Sequence, residues 1–158
     1  MAHLHFHRTV YKGGGQAARG RVTYIAREAQ RAAVRQLTYV AGEERGDLVE
    51  TGSRNLPAWS QGNAATYFQA AEQYEAKRSI AWTAFEEWKI TLPRELTQRQ
   101  NTVLMESLLA VIAGDRLPLT YALHCPSTLD GQHAQPHLHL LISARQQDGI
   151  ERSPAQHF

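Results

Sequence analysis

Hydrophobic and polar positions change period several times along the chain, and each change marks an element. In "HLHFHR" the histidines His3, His5 and His7 fall two apart, on one face of a short alternating strand that the glycines of "KGGGQ" bring to an end. Through "QAARGRVTYIAREAQRAAVRQ" the apolar residues Ala18, Val22, Ile25, Ala29 and Ala32 or Ala33 recur at helical spacing, which predicts an amphipathic helix. The Gly, Pro and charged residues of "TYVAGEERGDLVETGSRNLPAW" predict a surface hairpin or loop, after which "NAATYFQAAEQYEAKRS" returns to helical composition. In "EEWKITLP", Trp88, Ile90 and Leu92 alternate with Glu87, Lys89 and Thr91, the pattern of a half-buried strand stopped by Pro93. Thr97 and Gln100 have capping-box spacing, and Val103, Leu104, Leu108, Val111 and Ile112 form the stripe of a helix ending near Gly114. "LPLTYALH" and "HLHLLIS" follow as strands joined by a loop. The order predicts an α+β fold, a central antiparallel β-sheet flanked by helices.

Composition narrows this picture only in places. A chain of 158 residues, 42% apolar, suits one core and so a single domain over 1–158. Its closing "RSPAQHF" does not read as a finished domain edge, so the chain is expected to be an N-terminal fragment of a longer protein. Cys125 is the only cysteine, which excludes an internal disulfide and points to a cytoplasmic setting. The opening residues lack the pattern of a signal peptide, and no run of apolar residues predicts membrane insertion. A net charge of +2 says little about nucleic acid. Between positions 12 and 35, however, Lys12, Arg19, Arg21, Arg27, Arg31 and Arg35 face Glu28 alone, a cationic stretch that could meet phosphates or simply form a solvated helix face.

Histidines on the last two strands carry the most specific chemistry. His137 and His139 project to one face because they are two apart on a strand. If the two strands form a hairpin, His124 ends one just where His137 begins the other, and opposed side chains lie roughly 5 Å apart at Cβ. Three imidazoles converging from two strands would leave open positions on a shared ion, as a catalytic metal requires. Hydrogen bonding within the core is the alternative use for any one of them. His133 and Cys125 are near enough to serve as further ligands or as plain loop residues. A histidine-triad nucleotide hydrolase would need a third histidine in register where Leu141 stands.

Tyr24 lies about 120° round the first predicted helix from its apolar stripe, at 100° per residue. Arg21 and Glu28 flank it at i−3 and i+4 and Arg27 sits further round, so the phenol stands among cations, which favour the phenolate that a nucleophile needs. A surface tyrosine covered by arginine stems would look the same. Trp59, Tyr67 and Phe68 offer either base stacking or core packing.

These pieces together resemble a known family. "GGQAARGRVTYIARE" is similar to the N-terminal nucleophile motif of the MobA/MobL (MobQ) plasmid mobilisation relaxases, of the His-hydrophobic-His (HUH) endonuclease superfamily. "AAEQYEAKRS", "WKITLPRELT", "RLPLTYALH", "QPHLHLLIS" and "DGIERSPAQHF" resemble later segments of that family in the same order. The resemblance implies an HUH relaxase-like fold and a DNA relaxase that nicks and rejoins one strand at an origin of transfer. In that reading Tyr24 is the nucleophile, and His124, His137 and His139 are ligands of a divalent metal, Mg²⁺ or Mn²⁺, with Zn²⁺ or Ni²⁺ also acceptable to imidazoles. Glu87 would orient a histidine or take a proton, and Lys12, Arg19, Arg21 and Arg27 would hold DNA phosphates. Implied partners are single-stranded or melted origin DNA, relaxosome accessory proteins and a type IV coupling protein. The chain departs from the family where acidic residues are frequent, with Lys89 and Pro126, and carries Gln135 where Asn often precedes the proline. Two other readings share the residues. One is a metal-loaded origin-binding module that does not cut, and the other is an HUH replication initiator, disfavoured because only 19 residues follow His139.

Overall fold

The computed structural model describes residues 5–12, 47–75, 77, 83–126 and 135–158. The glycine turn, the predicted helix over 16–36 with Tyr24, Arg19, Arg21 and Arg27, and also His3 and His133 lie outside the described residues. Five strands form one antiparallel sheet: β1 (Phe6–Lys12), β2 (Leu48–Arg54), β3 (Thr83–Thr91), β4 (Leu119–His124) and β5 (His137–Ser143), in the spatial order β1-β3-β5-β4-β2. Helices α1 (Ala64–Glu75) and α2 (Gln98–Ala113) pack against it, and a short α3 (Pro154–His157) follows β5. This is the α+β arrangement that the periodicity predicts.

The two longer helices cover opposite faces. Tyr67, Phe68 and Ala71 of α1 pack with Phe85, Ala122 and Leu141 on one face, and Phe158 closes the same cluster. Met105, Leu109 and Ala113 of α2 pack with Ile90, Leu119, Tyr121, Leu123, Leu138, Leu140 and Ile142 on the other. Strand β4 is buried at every position, and β5 at every position after His137, because both faces of the sheet centre are covered. Tyr67 and Phe68 are fully buried core residues, and Trp59 stacks on Tyr67 with ring centres 5.6 Å apart, so packing is their use.

Three local expectations meet a different outcome. Residues 48–54 form β2, at the edge of the central sheet and not in a separate surface hairpin or loop, pairing with β4 from Leu48 opposite His124 to Arg54 opposite Leu119. The strand was hidden because "LVETGSR" has only two apolar residues, and its pairing rests on backbone hydrogen bonds that any side chain permits. Gly52 belongs there because a Cβ would lie 2.7 Å from the Tyr121 hydroxyl oxygen. Second, the buried stripe of α2 runs through Asn101, Met105, Leu109 and Ala113, whereas Val103 and Val111 are exposed. Asn101 turns the helix this way by donating from Nδ2 to the Pro93 carbonyl at 3.2 Å. The predicted cap holds, with the Gln100 amide donating to Thr97 Oγ1 at 3.3 Å and the Thr97 amide to Gln100 Oε1 at 2.9 Å. Third, the polar face of β3 is not open along its length, since Glu87 is buried.

Candidate metal centre

The hairpin of β4 and β5 builds the site. His124 and His137 are direct Cα partners across it, and period-2 alternation sets His139 on the same face. The ring centres are 5.3 Å apart for His124 and His137, 5.5 Å for His124 and His139, and 5.1 Å for His137 and His139. Three rings each bound through one nitrogen at about 2.1 Å to a common ion would place their centres roughly 5 Å apart, so the triangle has the right size. His124 and His139 are buried and His137 is half-buried.

On all three rings Nδ1 faces an oxygen supplied from outside the cluster. His124 Nδ1 lies 3.5 Å from Asp47 Oδ1, His139 Nδ1 lies 3.5 Å from Glu87 Oε1, and His137 Nδ1 lies 3.1 Å from the Gln135 carbonyl. The two carboxylate contacts are long for hydrogen bonds, yet acceptors at Nδ1 favour the tautomer with its proton there and the lone pair on Nε2. Histidines that ligate a metal characteristically have their other nitrogen held in this way. Among the described residues no group of three or more His, Cys, Asp or Glu is placed so that it could hold a metal ion as it stands. The donor chemistry, the ring triangle and the outer oxygens are nevertheless of the kind that would suit a divalent ion.

Burial keeps His137 neutral. The His137 imidazole is pushed down to about 3 from its ordinary 6.5, chiefly by desolvation, with the Lys89 cation and the neighbouring histidines adding to the effect and the Gln135 carbonyl opposing it. A neutral imidazole is the form that binds a metal, so no proton need leave His137 at physiological pH.

Glu87 sits behind His139 and also accepts from the Tyr11 hydroxyl at 2.9 Å on Oε2, while Tyr11 stacks on Phe85 at 4.7 Å. Asp47 was not anticipated. It precedes β2, is buried, and is anchored by its own carbonyl, which accepts from the Cys125 amide at 2.7 Å. The only signal in the sequence would have been an acid just ahead of a strand that composition did not reveal. Lys12 is exposed at the end of β1, opposite Thr83, beyond a break in register. Among the described residues no helix is long and apolar enough to cross a membrane.

An Asp47→Asn substitution is expected to weaken Mn²⁺ binding about ten- to a hundredfold while leaving the melting temperature of the metal-free chain within a few degrees. Isothermal titration with Mn²⁺ reads this, and an unchanged affinity would remove Asp47 from the site.

Among the described residues, a five-stranded antiparallel sheet flanked by helices, with two histidines separated by one leucine on its central strand, makes this an α+β protein. A solved structure described as "Molecular Basis of Vancomycin Resistance Transfer in Staphylococcus aureus" shares the fold, with a TM-score of 0.64 at 14% identity over 94% of this chain and 73% of that one. The chain belongs to the MobA/MobL family, whose model matches residues 31–156. It is 33% identical, over 97% of its length, to a "43 kDa relaxation protein" of Salmonella typhimurium. It is 36% identical, over 96% of its length, to "Mobilization protein A" of Escherichia coli, and 28% identical, over 80%, to "Probable mobilization protein MobA" of Bifidobacterium longum (strain NCC 2705). The chain spans 38%, 19% and 24% of the lengths of these relatives.

Proposed function

We propose that this chain is the strand-nicking part of a plasmid mobilisation relaxase, cleaving one DNA strand at an origin of transfer by tyrosine transesterification and rejoining it. The observation that carries the reading is the trio His124, His137 and His139, whose ring centres stand 5.1–5.5 Å apart on one sheet face with each Nδ1 facing an oxygen. These three would hold a divalent ion, Mg²⁺ or Mn²⁺, which when bound would polarise the scissile phosphodiester and offset its developing charge. Asp47, Glu87 and the Gln135 carbonyl act through the rings, fixing their orientation and tautomer.

Tyr24 is the nucleophile in this reading, on the strength of the "GGQAARGRVTYIARE" motif. Its phenol oxygen attacks phosphorus, the bond from phosphorus to the 3′ oxygen breaks, and the proton given up by the phenol is balanced by one taken by the departing 3′ oxygen. The products are a 5′-phosphotyrosyl link and a free 3′-hydroxyl. One ester replaces another, so the reverse step reseals the strand without an external energy source. Lys12, Arg19, Arg21 and Arg27 would hold the backbone of single-stranded or melted DNA. Accessory proteins and a type IV coupling protein would act with it in the cytoplasm.

Incubation with a single-stranded oligonucleotide spanning the plasmid's origin and with Mn²⁺ is expected to give a covalent protein–DNA adduct on a denaturing gel. Tyr24→Phe should reduce the adduct by more than about a thousandfold. An adduct that persists in the phenylalanine variant would unseat Tyr24. Tight binding of the origin with neither adduct nor nick in the wild type would leave a non-cleaving origin-binding module.

A further inference from the structure

The register of the sheet puts a lysine beside the histidine trio. Lys89 of β3 is the direct Cα partner of His139 on one side and of His7 on the other, so all three share the face on which the imidazoles cluster. Lys89 is exposed and makes no hydrogen bond or ion pair among the described residues. The nearest acid on its own strand face, Glu87, is buried and turned to His139 and Tyr11. The other carboxylate of the site, Asp47, faces His124 Nδ1.

A cation next to a site for a divalent cation works against the ion. Side chains opposed on paired strands lie about 5 Å apart at Cβ, so the Lys89 ammonium can come within roughly 7 Å of an ion held by the rings, where one positive charge opposes a doubly charged ion by enough to lower affinity several-fold even with strong solvent screening. The conflict disappears when an anion stands between them. A phosphodiester supplies one negative charge at the position where the proposed reaction needs it.

Resting on the metal-centre reading above, we infer that Lys89 contacts a phosphate of the bound strand and couples metal binding to DNA binding, weakening the ion's hold in free protein and releasing that penalty when DNA arrives. Linkage makes the coupling reciprocal, so the ion also strengthens the DNA complex by the same factor.

The test is calorimetric titration of Mn²⁺ into wild type, Lys89→Gln and Lys89→Arg, at low salt, with and without an oligothymidylate that offers phosphates but no origin sequence. Without DNA, the Gln variant should bind Mn²⁺ about three- to tenfold more tightly than wild type and the Arg variant should match wild type. With DNA, Mn²⁺ affinity should rise in all three proteins through the phosphate's own attraction for the ion, and by about three- to tenfold more in wild type and Lys89→Arg than in Lys89→Gln. Wild type that binds Mn²⁺ while either difference is missing overturns the role of Lys89 alone. Failure of every protein to bind Mn²⁺ overturns the metal centre and this inference with it.

Discussion

His139→Ala is expected to lower Mn²⁺ affinity by more than a hundredfold and to destabilise the metal-free chain by about 1–3 kcal/mol. The first effect follows from the donor count, since two imidazoles cannot supply the facial set that three offer. The second comes from what the ring leaves behind. His139 is buried against Glu87, so alanine leaves that buried carboxylate facing a void, with the Tyr11 hydroxyl still donating to its other oxygen. His137→Ala provides the contrast. That ring is half-buried and its outer partner is a backbone carbonyl, so the same loss of metal should come with a smaller loss of stability. Titration with Mn²⁺ beside thermal melting separates the two effects. Retention of wild-type affinity in both variants would dissolve the ligand set.

The second large effect is a stability one. Phe68→Ala should cost about 3–5 kcal/mol and lower the melting temperature by roughly 10 °C. Phe68 has no solvent exposure and packs edge-on to Tyr67 and Phe85, with ring centres 5.2 Å and 5.4 Å away. Its helix covers Ala122 and Leu141, which stand two residues before His124 and two after His139 on the same sheet face. Below the new melting temperature Mn²⁺ affinity should stay near that of wild type, because the trio is carried by β4 and β5 and not by α1. A drop in melting temperature of only a degree or two would mean that α1 contributes little to the core.

Much of the candidate site was legible before any coordinates, for a local reason. His124 and His137 are 13 positions apart in one hairpin, and alternation along β5 fixes which side His139 takes. The capping box of α2 is likewise a three-residue affair. Glu87 could be named as an orienting acid, but its burial could not, since that depends on what covers the α1 face of the sheet. Asp47 was invisible because it acts through the pairing of β2 with β4, strands about 70 residues apart joined mainly by backbone groups.

The sequence by itself determined the class of fold, the meeting of the three imidazoles and the family motif around Tyr24, because period, register across a short hairpin and motif spacing are all properties of neighbouring residues. Only the tertiary structure decided that β2 completes the sheet, that the α2 stripe centres on Met105 and Leu109, that Asp47 backs His124 and that Lys89 stands next to His139. Each of these depends on which distant segments pack together, and packing is chosen by the burial and hydrogen bonding of the whole chain at once, which no single stretch of residues encodes.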